Sequence, residues 1–181
     1  MFFVEAVPTG GPGDGFGRPQ RETIAKTIAQ EIMNDEHQCA QNRYTPFCRA
    51  ALLAVKMIRN GEIAASNPRE AWTSVLTDLG AARAVIDKGC PKSAFLGLCE
   101  TGRVDGVPAG AYTRSRANKQ YALTATKNLK ERKDRGEPPL PQRELWIAVM
   151  RDLGQDPISH NGQMDVVLCL WLQGLIDPRD L

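Results

Sequence analysis

Cys90 is the residue of this chain best placed for covalent chemistry. It stands just before a helix start marked by Pro91 and lies between Lys88 and Lys92. A helix N-terminus and neighbouring ammonium groups both favour a thiolate. A nucleophilic cysteine also needs a base, and the candidate is His160, far downstream. Cys99 and Cys169 sit in apolar helical runs, where a free thiol packs as a small core side chain. His37 and Cys39 share a polar turn without further ligands at metal-binding spacing. GDGFG at 13–17 has neither a preceding strand nor the Gly-Lys-Ser/Thr ending of a phosphate loop. Paired carboxylates, zinc spacing and triad spacing do not stand out. The expectation is therefore no catalytic set, no metal and no cofactor.

The stronger chemical signal is cationic. From Lys88 to Lys119 the chain carries six basic side chains (Lys88, Lys92, Arg103, Arg114, Arg116 and Lys119) against two acids, Glu100 and Asp105. The whole chain has a net charge of only +2, so the excess is local. Cations beside Ser93, Tyr112 and a Pro/Gly-rich loop could hold phosphate oxygens, with backbone N–H groups assisting. A second basic run, Lys127, Lys130, Arg132, Lys133 and Arg135, is interleaved with Glu131 and Asp134. It reads first as a solvated helix end favourable to the C-terminal dipole. Its other reading is an extension of the positive face.

These side chains must be positioned by helices. Ile24, Ile28 and Ile32 mark a helix over 21–34. Thr45-Pro46 opens another, with Phe47, Ala50, Ala51, Ala54, Val55 and Ile58 inward and Asn60-Gly61 as its stop. Asn67-Pro68 opens a third, with Glu70 placed to reach back to the cap. A short helix over 91–101 turns Ala94, Phe95, Leu98 and Cys99 inward.

The segment from Arg69 to Gly80 returns 74 residues later as Arg143 to Gly154, with seven of twelve positions identical. Phe47, Ala51 and Val55 match Tyr121, Ala125 and Leu129 at that offset. Leu96, Leu98, Gly102 and Asp105 match Leu168, Leu170, Gly174 and Asp177 at an offset of 72. An internal repeat of this kind predicts an all-α fold of two tandem three-helix units, helix-turn-helix-like, plus an N-terminal helix. The expected organisation is a flexible Gly/Pro-rich arm at 1–19, an N-terminal helix and turn at 20–45, unit 1 at 46–105, and the basic loop with unit 2 at 106–181. The copies differ in charge. From Gln155 to Leu181 four acids face Arg179 alone, beside an unbroken apolar run from Val166 to Leu172. A helix apolar all round is buried or lies in an interface, which makes Trp171 and Leu172 candidates for a protein contact.

At 181 residues the chain can bury a core. It has no apolar run long enough to span a bilayer. Its start, MFFVEAVPTGG, lacks the basic region of a secretory signal. Five cysteines, an odd number without a framework, fit a reducing cytoplasm better than a disulfide scaffold.

The strings GCPKSAFLGLC, GVPAGAYTRSRANKQYA and HNGQMDVVLCLW resemble a bacterial family of small proteins of unknown function. The likeness covers roughly residues 46–176. That family carries no assigned activity, so the resemblance implies no catalytic residues.

Two functional expectations follow. The first is a non-enzymatic nucleic-acid-binding protein using the basic loop and the third helix of unit 1, with DNA or RNA as partner. The second is a protein-binding module of a mobile element, such as an inhibitor of a host nucleic-acid-targeting defence complex. Both place the protein in the cytoplasm, away from membranes.

Overall fold

The computed structural model describes residues 45–156 and 158–178. The arm expected at 1–19 and the helix expected over 21–34 lie outside the described residues. What is described is all-helical: α1 Pro46–Arg59, α2 Pro68–Asp78, the single turn α3 Arg83–Ile86, α4 Gly89–Glu100, α5 Arg116–Asp134, α6 Gln142–Asp152 and α7 Gln163–Leu172. The closest approach to a sheet among these residues is one antiparallel bridge, between Val104 and Ile176.

Each helix starts and stops for a local reason. Thr45 caps α1, its Oγ1 accepting from the Cys48 N–H at 3.2 Å, with Pro46 in the first turn. Such a cap contributes about 1 kcal/mol. Ser115 caps α5 in the same way, through the Asn118 N–H. At α2 the Asn67 side chain makes no cap bond; it donates instead to the Glu70 carboxylate at 3.2 Å. The repeated glycines stop α2 and α6 identically. Gly80 and Gly154 take φ +67° and +62°. The next amides, of Ala81 and Gln155, return to Leu76 O at 3.0 Å and Met150 O at 2.9 Å. This is the Schellman closure, and it needs a residue tolerant of positive φ.

Packing is reciprocal. α4 lies along α5 and α7 lies along α1, while α4 and α7 also meet each other. The helix that precedes the 101–115 connection thus packs on the helix that follows it, and the last described helix packs on the first. The Val104–Ile176 bridge extends this seam: Asp105 N–H donates to Leu175 O at 3.1 Å and Asp177 N–H to Arg103 O at 2.8 Å. Trp72 and Phe95 form the centre of one side, their ring centroids 5.4 Å apart. Tyr121 and Trp146 meet edge-to-face at 5.1 Å on the other, and Trp146 Nε1 donates to Ile158 O at 2.6 Å.

The α4–α5 crossing is close because Gly97 lacks a side chain. A Cβ built there would come within 2.7 Å of Lys119 Cα. On the equivalent α1–α7 contact the structure joins Cys48 to Cys169 in a disulfide, with Cα atoms 5.6 Å apart. This corrects two expectations, the idle core thiol at Cys169 and the cysteine set without a framework. The pattern is hidden in the sequence because the partners are 121 residues apart and become neighbours only through the reciprocal packing. By chain entropy alone a loop of that length gives up to about 5 kcal/mol. Cys99 is fully buried, and burial pushes its thiol well above the usual range, so it stays protonated.

Gly97→Ala is expected to destabilise the protein by about 1–3 kcal/mol in chemical denaturation, because the added methyl meets backbone that cannot swing away. Gly89→Ala, with nothing within 4 Å of its Cβ position, serves as the control and should change stability little. Equal effects of the two substitutions would contradict the close crossing.

Candidate nucleic-acid interface

The loop between α4 and α5 is held by one carboxylate. Glu100 closes α4, and its side chain is only 9% exposed. Its Oε1 accepts from the backbone N–H groups of Tyr112 and Thr113, each at 2.6 Å. Its Oε2 accepts from Lys119 Nζ at 2.8 Å. Burial works against the charged form, but the bonds from Lys119, Thr113 and Tyr112 outweigh it and hold this carboxyl below its ordinary value. The loop is braced further by Gly110 N–H donating to Glu100 O at 3.2 Å and by the Tyr112 hydroxyl donating to Pro108 O at 2.9 Å. A Cβ at Gly110 would fall 2.6 Å from the Tyr112 ring, so a side chain there would have to push that ring aside. From α2, Arg69 donates to Tyr112 O at 2.5 Å.

The start of α5 is fixed from α7. Gln163, 3% exposed, donates through Nε2 to Asn118 Oδ1 at 3.0 Å and accepts the Asn161 N–H at 2.6 Å. Asn118 in turn donates to Ser115 Oγ at 2.8 Å. His160-Asn161-Gly162 acts as the expected turn into a helix, with Gly162 at φ +90°. Asp165, in the first turn of α7, takes a short bond from Gln142 Nε2. Its carboxyl is pushed up by burial, an effect opposed by Thr45, His160 and Lys88.

The residues singled out in the sequence fare differently. Arg114 and Arg116 are exposed at the loop's end. Ser66, Asn67, Pro68, Arg69 and Glu70 face Ala111, Tyr112, Thr113 and Arg114 across an open cleft of ≈ 530 Å³. Lys92 is half-buried at the start of α4, and its ammonium is weakened first by burial and then by the neighbouring Arg69. Ser93 beside it is also half-buried. Lys88 lies apart, its Nζ 5.3 Å from the centroid of the Phe47 ring. Lys119 and Tyr112 serve the loop's own architecture. Arg103 is half-buried at the seam, where its carbonyl takes the Asp177 N–H.

Two readings lose ground. α4 is buried at Pro91 and continuously from Ala94 to Cys99, and α2, α5 and α7 pack around it, so only its first turn is accessible. It has no free face to lay into a groove. α2 and α4 are joined through α3 rather than a tight turn. The second basic run is largely neutralised within itself: Lys127 pairs with Glu131, Lys130 with Asp134, and Arg132 and Arg135 with Glu137. Lys133 Nζ sits 5.9 Å from the Trp171 ring centroid. Trp171 is half-buried, and Leu172 is 52% exposed. Cys90 is half-buried with a free thiol, and His160 packs near Trp146 at 6.4 Å between centroids. Among the described residues no group of three His, Cys, Asp or Glu side chains could hold a metal ion, and no helix is long and apolar enough to cross a membrane.

Sequence reasoning missed Arg69 and Glu100. In the sequence Glu100 counts only as an opposing charge. Its signal is an acid on the last turn of an otherwise apolar helix. Arg69 belongs to the repeated Arg-Glu-x-Trp string, which points to structure rather than to a surface role.

The chain belongs to a family of unknown function (DUF6979), which matches residues 41–177. No curated protein and no solved structure matches it.

Glu100→Gln should remove the charge from three hydrogen bonds and cost about 2–3 kcal/mol in denaturation at neutral pH. The folded-state value of Glu100 lies below its ordinary value of 4.5, so its stabilising contribution is complete above that pH. As pH falls through the lower folded value the contribution is lost. The gap between wild type and Glu100→Gln should therefore close on acidification below about pH 4.5. A gap independent of pH would show that the carboxylate's charge is not what holds the loop.

Proposed function

We propose that this protein binds nucleic acid through its phosphate backbone, at the face formed by the 111–116 loop, the start of α2 and the first turn of α4. The observation that carries the reading is the convergence of Arg69 and Arg114 on one open cleft, with Lys92 close enough to Arg69 for their charges to interact. Like charges brought together from α2, α4 and a braced loop raise the local potential and favour an anionic partner. The buried state of α4 favours contacts to phosphate over contacts to base edges, because no helix face is free for the major groove. Binding of this kind is weakly dependent on sequence and strongly dependent on salt. It is non-catalytic, and it suits a cytoplasmic protein that meets DNA or RNA there.

Arg114→Ala/Arg116→Ala is expected to weaken binding to labelled DNA and RNA alike in fluorescence anisotropy. It should also flatten the plot of log affinity against log salt by about 0.7–0.9 for each phosphate left without its cation. Lys127→Ala, in the self-neutralised run, should change neither. Salt-insensitive or absent binding by the wild-type chain would reject the proposal.

A second reading, a protein-binding module acting on a nucleic-acid-associated complex, is favoured by one feature, the exposed Leu172 beside Trp171. A specific partner that co-purifies after nuclease treatment, and no longer does so with Leu172→Asp, would support it over the first.

A further inference from the structure

We propose that the Cys48–Cys169 disulfide is an exchangeable clamp, opened by a dithiol in a fixed order, that sets how firmly the basic loop is held. The two sulfurs are not equivalent. Cys48 is 1% exposed and lies in the first turn of α1, with its own N–H bonded to Thr45. Cys169 is half-buried and lies in the last turns of α7. An incoming thiolate therefore reaches Cys169 Sγ first and forms a mixed disulfide there. The Cys48–Cys169 bond breaks, and its electron pair leaves on Cys48 Sγ. That thiolate forms in the first turn of α1, where the helix dipole favours negative charge and offsets part of the cost of its burial. It then takes a proton. The second thiol of the dithiol displaces Cys169, which takes the other proton. The protein gains two electrons and two protons, and the dithiol leaves as its disulfide.

The consequence runs along α7. Gln163 begins that helix and holds Asn118, which holds Ser115 at the cap of α5. Arg114 and Arg116 flank Ser115. With the clamp closed, α7 is tied to α1 and this chain of bonds is fixed. With it open, α7 keeps only its packing, and the start of α5 loosens with it. Were the protein to meet a reducing compartment, such a bond would be transient or redox-sensing, and the unequal access of its two sulfurs sets the order in which it opens. The inference does not depend on nucleic acid being the ligand.

The test uses the full chain with Cys39→Ser, Cys90→Ser and Cys99→Ala, leaving the clamp as its sole cysteine pair, with the wild-type chain run in parallel. Hydrogen exchange is compared between the oxidised protein and the protein held in dithiothreitol. The amides of Tyr112, Thr113 and Asn118 should exchange about tenfold faster on reduction. Val75 and Leu76 in α2, which does not rest on α7, should be unchanged. In a second arm glutathione traps the first intermediate, and peptide mapping should place it on Cys169. Unchanged loop protection, or equal loss in α2 and the loop, would overturn the proposal, as would glutathione on Cys48.

Discussion

A single carboxylate organises the cationic surface of this protein. The Glu100 side chain sits where a helix ends and a long loop begins. It gathers two loop amides and one ammonium group from the following helix. A loop rich in glycine and proline has little apolar surface to bury and would otherwise keep many conformations. Three charge-assisted bonds to one nearly buried anion replace that missing core. The arginines that follow are presented from a fixed base, so the charge that marks this face depends on an acid inside it.

The same economy governs the helices. α4 and α7 are too apolar to face water, and each is covered by the opposite half of the chain. On one side the covering contact is made close by Gly97, on the other it is made covalent by Cys48 and Cys169. Between them Gln163 and Asn118 carry a buried polar link that is fully partnered, so it fixes register without leaving an orphan group. The strings that drew attention in the sequence, around Glu100, Arg114–Lys119 and His160–Asp165, are the parts that touch one another here.

Much of the fold could be read from residue order. The helix starts at Thr45-Pro46 and Asn67-Pro68, the stop at Asn60-Gly61, and the all-α class follow from local chemistry that does not depend on distant neighbours. The cation-bearing loop was legible as charge, and Arg114 and Arg116 stand exposed at its end. What failed to show was everything set by contacts across the chain. Cys48 and Cys169 carry no spacing signal at such separation. Glu100 looks like a surface acid until the loop folds over it. The inward face of α4 was legible at Ala94, Phe95, Leu98 and Cys99, but nothing local said that Leu96 and Gly97 would be covered too. That coverage leaves α4 accessible only at its first turn.

The bridge between Val104 and Ile176 has an implication of its own. These residues stand 72 positions apart, the offset at which Leu96, Leu98, Gly102 and Asp105 recur in the sequence, and they pair with each other. Pairing of like with like across an antiparallel contact is what defines an isologous association between identical subunits. Here both partners belong to one polypeptide, tethered through the 101–115 connection, so each half meets the other at the high effective concentration of an intramolecular encounter. Contact within one chain does not depend on the protein's abundance, as contact between separate subunits would.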